Sequence, residues 1–299
     1  MKASMASAED FGLARTEGTA GGWQYYLRRL FRTRAGAAGA GIVVLLILVA
    51  VLAPVLAPAS PMAVDPAARL LAPSAHHLFG TDDLGRDILS RVIYGTRYSL
   101  VGGIGVVLIG LSVGLVLGLV AGYAGGWIDE ALMRVTDVFL AFPSLVLAMA
   151  VAAALGPSLL NAVIAIGAVW WPWYARLVRG QTLRIKGQQF IAAAVVSGAR
   201  GRHIVPNHIL RNVLSPVIVQ MSMDVGYAIL TLAGLSFIGL GAQPPTPEWG
   251  SMISVGRDYY LSQWWFITFP GLALLLTVTG FILLADGLQD IMPSSRGMA

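Results

Sequence analysis

Cysteine is absent from the 299 residues, which excludes disulfides and every metal site built on thiolates. It leaves the redox compartment open. Charge is scarce too: Asp, Glu, Lys and Arg make up 12% of the chain against 57% hydrophobic residues, and the mean hydropathy is +0.74. Those proportions fall outside the soluble globular range and describe an integral membrane protein. Lysine occurs only at Lys2 and Lys186, and neither lies in a G-x-x-x-x-G-K-[ST] loop, so ATP cannot be held by a Walker A cradle. The histidines His76, His77, His203 and His208 form no H-E-x-x-H pattern. We read the first pair, near Asp82 and Asp83, as solvated loop residues and the second as surface residues. No converging catalytic set stands out, which argues against a membrane enzyme, and no internal repeat is evident, which weakens an inverted-repeat secondary transporter.

What is present is a series of uncharged runs at 35–64, 98–128, 138–175, 212–247 (interrupted by Asp224) and 259–285. A bilayer takes about 20 apolar residues, so the third run is too long for one helix, and "ALGPSLLN" at 154–161 supplies a Gly-Pro break. Six spans are expected, near 38–57, 99–122, 136–155, 158–176, 213–235 and 265–286. The first run ends in "APVLAPAS", which imitates a signal-peptidase site, but the long polar lead and the length of the run favour an uncleaved span. Within the second span Gly110, Gly114, Gly118 and Gly122 recur every four residues. That spacing puts small residues on one face, where another helix backbone can approach closely. We expect Gly118→Leu to weaken assembly with a partner subunit. Asp224 is costly in hydrocarbon and is expected to face the bundle or a translocation path, paired with a neighbour such as Arg97 or Arg134 or touching cargo.

The net charge of +5 does not indicate nucleic acid, since the basic residues bracket apolar spans and no recognition motif accompanies them. They report orientation instead. Arg28, Arg29, Arg32 and Arg34 precede the first span with no acid nearby, and the segment between spans four and five holds Arg176, Arg179, Arg184, Lys186, Arg200, Arg202 and Arg211 without one acidic residue. Both termini, the 177–212 loop and the 124–135 turn are expected to be cytoplasmic, with 58–97 and 236–263 outside. Inside the basic loop, 188–199 is uncharged and apolar but too short to cross. Its helical core, 189–197, ends at Gly198, suited to a left-handed cap. Phe190, Ile191, Ala194 and Val195 make a stripe that would order this marginal helix by docking, against either the membrane or a protein partner.

The segment "FIAAAVVSGARGRHIVPNHILRN" resembles the cytoplasmic signature loop of ATP-binding-cassette importer permeases. Ala193, Ala194, Gly198 and Leu210 match that pattern; Ala192 stands where the family has Glu, Val195 where many members have Arg, and Arg211 where they have Pro. Three further blocks, "HLFGTDDLGRDILSRVIYGTRYSL", "ALMRVTDVFLAFPSLVLA" and "LSFIGLGAQPPTPEWGSMI", resemble permeases of the DppC/OppC type, which serve peptides and nickel. The resemblance runs in order from about 23 to 293 and implies an all-α integral membrane protein of six transmembrane helices in the type I importer arrangement. It implies a cytoplasmic segment 1–34, a first span and extracytoplasmic loop 35–97, a core permease domain 98–293 and a tail 294–299. The location implied is the bacterial inner membrane, among membrane lipid. The implied partners are a second permease of the DppB/OppB type, two ATPase subunits that bind the ATP and Mg, and an extracytoplasmic substrate-binding protein; this chain would hold no cofactor of its own. The short helix would be the coupling helix, with Phe190, Ile191, Ala193, Ala194, Gly198 and Leu210 in the ATPase contact, and "AQPPTPEWG" would be a rigid outer loop that helps close the outer gate. Di- or oligopeptides are the implied cargo, with nickel chelates or glutathione as the alternative. An ATP-independent transporter or channel is the distant alternative, and it would function as this chain alone.

The natural lack of cysteine makes sidedness directly testable. Ser74→Cys and Gln188→Cys are expected to react with an impermeant maleimide from opposite faces of sealed vesicles, and labelling from one face would defeat the topology.

Overall fold

The structure, a computed structural model, describes residues 28–291; most of the expected 1–34 segment and all of the 294–299 tail lie outside them. Its helices are α1 (Arg34–Leu56), α2 (Ile88–Ala124), α3 (Gly126–Leu140), α4 (Ser144–Leu155), α5 (Leu159–Lys186), α6 (Gln189–Val196), α7 (Gly201–Phe237), α8 (Trp249–Gly256) and α9 (Trp265–Ile291). Among the described residues the only β pairing is one bridge between Thr81 and Asp87. Four helices, α1, α2, α7 and α9, are long and apolar enough to cross a membrane, or five if the bent pair α3–α4 is one span. The expected six is not reached on those criteria. The helix left over is α5, whose middle carries the polar-edged aromatics and proline of Trp170, Trp171, Pro172, Trp173 and Tyr174.

Local chemistry explains where the helices stop. Asp87 caps α2, its Oδ2 accepting from the Ser90 N–H at 2.8 Å, and satisfies a donor that the first turn leaves open. Between α4 and α5, the Ser158 hydroxyl accepts from the Asn161 N–H at 3.1 Å, while Asn161 Nδ2 donates to the carbonyls of Leu155 and Gly156 at 2.8 and 3.0 Å. The expected Gly-Pro break is thus a closed reciprocal cap. The expected span 136–155 is not one straight helix: α3 and α4 meet within it at 83°. Pro143 sits at the N-cap of α4, and the residue before a proline is pushed out of the helical region.

The central contact is α2 against α5. A Cβ on Gly118 would stand 2.6 Å from the Ala175 carbonyl oxygen and 2.7 Å from Val178 Cβ; one on Gly122 would stand 2.7 Å from Thr182 Cβ. Gly114 faces the Trp171 carbonyl in the same way, at 2.6 Å, and Gly110 faces Trp170 Cβ at 3.3 Å. All four glycines are buried. The neighbour that needs their bare backbone is therefore α5 of the same chain, which corrects the expectation of a partner-subunit contact at Gly118. α7 and α9 pack alongside, and α1 lies outermost against α9 and α2 with Val44, Leu48, Val51 and Val55 exposed.

The loops sort into two ends. At one, Ala59 N–H donates to Ser90 Oγ at 3.1 Å, Trp265 Nε1 to the Thr81 carbonyl at 3.3 Å and Trp249 Nε1 to the Val92 carbonyl at 3.1 Å, knitting 57–87 and the segment after α7 to each other and to the start of α2. At the other, Lys186 Nζ donates to the Tyr123 carbonyl at 2.7 Å, and Arg179 forks onto Asp129, its Nη2 at 2.6 Å from Oδ2. The two loops expected outside thus lie together, and the basic loop and the 124–135 turn lie together at the opposite end.

Gly118→Leu is expected to destabilise the chain itself, since overpacking costs about 1–3 kcal/mol or more. Thermal unfolding of the isolated, detergent-solubilised subunit checks this. A lone subunit of unchanged midpoint, with only complex recovery reduced, would return the glycine face to the partner.

Candidate functional site

The short helix α6 follows α5 after one turn. It ends in a Schellman motif: Gly198 has φ +84°, its N–H bonds the Val195 carbonyl at 2.9 Å, and the Ala199 N–H reaches the Ala194 carbonyl at 3.0 Å. The expected stripe is split by the structure. Ile191 is 4% exposed and joins Val178, Ile185, Ile204, Ile209, Val213 and Val217 in a cluster at the base of α5 and α7. Phe190, Val195 and Val196 point outward, Val196 at 88% exposure. Ala193 and Gly198 are exposed, and Ala194 and Leu210 half-buried. Arg184, Lys186, Arg200, Arg202 and Arg211, which flank α6 in the sequence, are all exposed, and Lys186 is tied to α2 through the Tyr123 carbonyl. One side of α6 is thus packed against α5 and α7, and the other offers exposed apolar side chains.

A second locus lies where α5, α7 and the start of α4 meet. Asp224 is 7% exposed. Its Oδ2 accepts from Tyr174 Oη at 2.6 Å and its Oδ1 from Gln220 Nε2 at 2.9 Å. Of the alternatives the sequence leaves open, a pairing with Arg134 is not made, since Arg134 lies 3.5 Å from Glu130; the partners seen are these two neutral donors. Asp224 lines a cavity of about 340 Å3 with Ser144, Trp170, Trp173, Tyr174 and Tyr227, among others. The sequence reading missed these aromatics, although "WWPWY" at 170–174, within a span, is an unusual run that pointed to them.

At the opposite end from α6, a buried polar core braces the two loops expected outside. Asp82 Oδ1 accepts from the Leu84 and Arg86 N–H groups, both at 2.9 Å, and its Oδ2 from Arg86 Nε at 2.6 Å. Arg91 Nη1 donates to the Pro61 carbonyl at 2.9 Å and the Pro245 carbonyl at 3.3 Å, spanning both loops. Glu248 caps α8, accepting from the Gly250 and Ser251 N–H groups at 3.0 and 2.9 Å; burial pushes its carboxyl above the usual range, opposed by those bonds. His77 Nδ1 lies 3.1 Å from Asp87 Oδ1, and no group of three or more acidic or histidine side chains among the described residues is placed to hold a metal.

Helices long and apolar enough to cross a membrane, with a short surface helix at one end and a braced pair of loops at the other, define a multi-span membrane protein. Residues 114–296 match the family model described as the binding-protein-dependent transport system inner membrane component, and 22–73 match that of the N-terminal TM domain of oligopeptide transport permease C. The chain is 50% identical over 256 residues to a probable D,D-dipeptide transport system permease of Escherichia coli K12, covering 86% of each. It is 45% identical over 270 residues to a dipeptide transport permease of Alkalihalophilus pseudofirmus, covering 90% of this chain and 89% of that one. A glutathione transport permease of Shigella flexneri is 45% identical over 277 residues, covering 92% and 91%. The chain belongs to the binding-protein-dependent ABC permeases, in the DppC/OppC branch.

Arg91→Ala removes the side chain that ties Pro61 to Pro245. A cysteine placed at Thr246 is expected to react several-fold faster with maleimide in that background; an unchanged rate would mean the two loops hold together without it.

Proposed function

We propose that this chain is one of two permease subunits of an ATP-driven importer of di- or oligopeptides in the bacterial inner membrane, with both termini cytoplasmic. The peptide cargo rests on the dipeptide permeases it is similar to. Glutathione is the second reading, favoured by the similar glutathione permease. In this proposal α5 crosses the membrane as the sixth span, despite its aromatic middle, because its ends lie with opposite loop sets. The partners are a second permease of the DppB/OppB type, two ATPase subunits that bind and hydrolyse ATP with Mg, and an external binding protein that meets the loop braced by Arg91, Glu248 and Trp249.

The observation that carries the coupling role is the two-sidedness of α6. Ile191 is buried against α5 and α7 while Phe190, Val195 and Val196 stand exposed on the other side of the same short helix. A surface that seated itself in an ATPase groove would move with the spans, because the opposite side of the same helix is packed into them. Burying Phe190 in such a groove contributes about 1.5–3 kcal/mol. The exposed arginines add attraction to the anionic leaflet or an acidic groove, each about 1 kcal/mol near the membrane surface.

Phe190→Ala is expected to weaken association with one ATPase, and Gly198→Val to misdirect the chain leaving α6, since a β-branched residue resists positive φ. Both variants are expected to insert and accumulate normally. Substrate-stimulated ATP hydrolysis in reconstituted complexes is the readout, and wild-type stimulation in both variants would reject the coupling role.

A further inference from the structure

We propose that Asp224 anchors the cationic group of the cargo, an alkylammonium such as the amino terminus of a short peptide. This rests on the peptide reading above and extends it to a specific subsite.

The carboxylate lies within the membrane-spanning part of α7, where an unneutralised charge is expensive. None of the ion pairs among the described residues includes it. Its hydrogen-bond partners Tyr174 and Gln220 are neutral. They fix its orientation and use one acceptor position on each oxygen, whereas an ionised carboxylate offers about four. The free positions belong to a group that lines a cavity. A carboxylate held this way, by neutral donors and in no ion pair among the described residues, fits a ligand that brings a positive charge with it.

The surrounding side chains suit that ligand. Trp170, Trp173 and Tyr227 line the same cavity, and aromatic faces attract ammonium groups most strongly where water is sparse. Asp224, Tyr227 and Thr231 follow at helical spacing on one face of α7. A second cavity of about 370 Å3 shares Ser144, Trp170 and Thr231 with the first and continues to Ile238 at the outer end of α7. Cargo released from the outer side would meet apolar walls first and the carboxylate at depth. Each cavity has the size of an ordinary small-ligand site, and the exposure of Trp173 and Tyr227, 57% and 49%, leaves room for the second permease to complete the wall.

The test uses the whole complex in proteoliposomes, with binding protein outside and ATP within, and two labelled probes: L-alanyl-L-alanine and its N-acetylated form. The binding protein is common to every variant, so its own preference cancels. Asp224→Asn is expected to lower dialanine uptake at least tenfold while leaving uptake of the acetylated probe unchanged. Asp224→Glu is expected to restore part of the preference for the free amine. Dialanine uptake at the wild-type rate in Asp224→Asn would overturn the subsite. So would an equal loss for both probes, which would make Asp224 a structural or gating residue matched by a charge in the partner. A wild-type complex that accumulates no peptide would fail differently, overturning the peptide reading and the subsite with it.

Discussion

The rest of the molecule depends on the backbone-to-backbone contact of α2 with α5. Dispersion falls steeply with distance, and in lipid, where apolar side chains gain nothing by leaving the solvent, close packing of small residues is what holds helices together. The glycines at 110, 114, 118 and 122 let the two backbones meet over three turns. Because α5 is pinned there, Tyr174 reaches Asp224 on α7 and Arg179 reaches Asp129 on α3. The same pinning delivers Ile185 to the cluster that receives Ile191 of α6. One steric constraint thus places the surface helix, the cavity and the salt bridge to the bent segment.

The subunit is built with two unlike ends. The end that carries the 57–87 loop is polar inside: Asp82, Arg86, Asp87 and Arg91 are buried with their hydrogen bonds largely met within the loops. Such a network gives a shaped, stiff rim, since half-broken buried networks are costly. The opposite end is apolar inside and basic outside. Its aliphatic cluster joins α5, α6 and α7 without directional bonds, so it holds three helices as a unit while leaving the outward face of α6 free.

Much of this was readable from residue order. The Gly-Pro break, the glycine face, the short helix ending at Gly198 and the grouping of loops into two sets all follow from local rules about backbone freedom, spacing and charge. Three things were not. The bend between α3 and α4 is signalled only by Phe142-Pro143, which also reads as a tolerated kink within a span. The partner of the glycine face is a tertiary fact: spacing says that a backbone comes close, not whose. The neutral partners of Asp224 lie 4 and 50 residues away, and the second distance is invisible to any periodic pattern. The inward Ile191 and outward Phe190 differ by a single residue, and only the packing of α5 and α7 decides which of the two is buried.

The central claim is that α6 moves with the spans because Ile191 is locked into their base. Pulsed spin-label distance measurements between cysteines at Val196 on α6 and Ile218 on α7, both exposed, test it in the assembled complex with and without trapped nucleotide. The account predicts that this distance stays constant to within label width, while the distance from Val196 to the matching helix of the second permease shortens on ATP-driven closure. A change between Val196 and Ile218 comparable to the movement between subunits would show that α6 swings on its own, and would contradict the account.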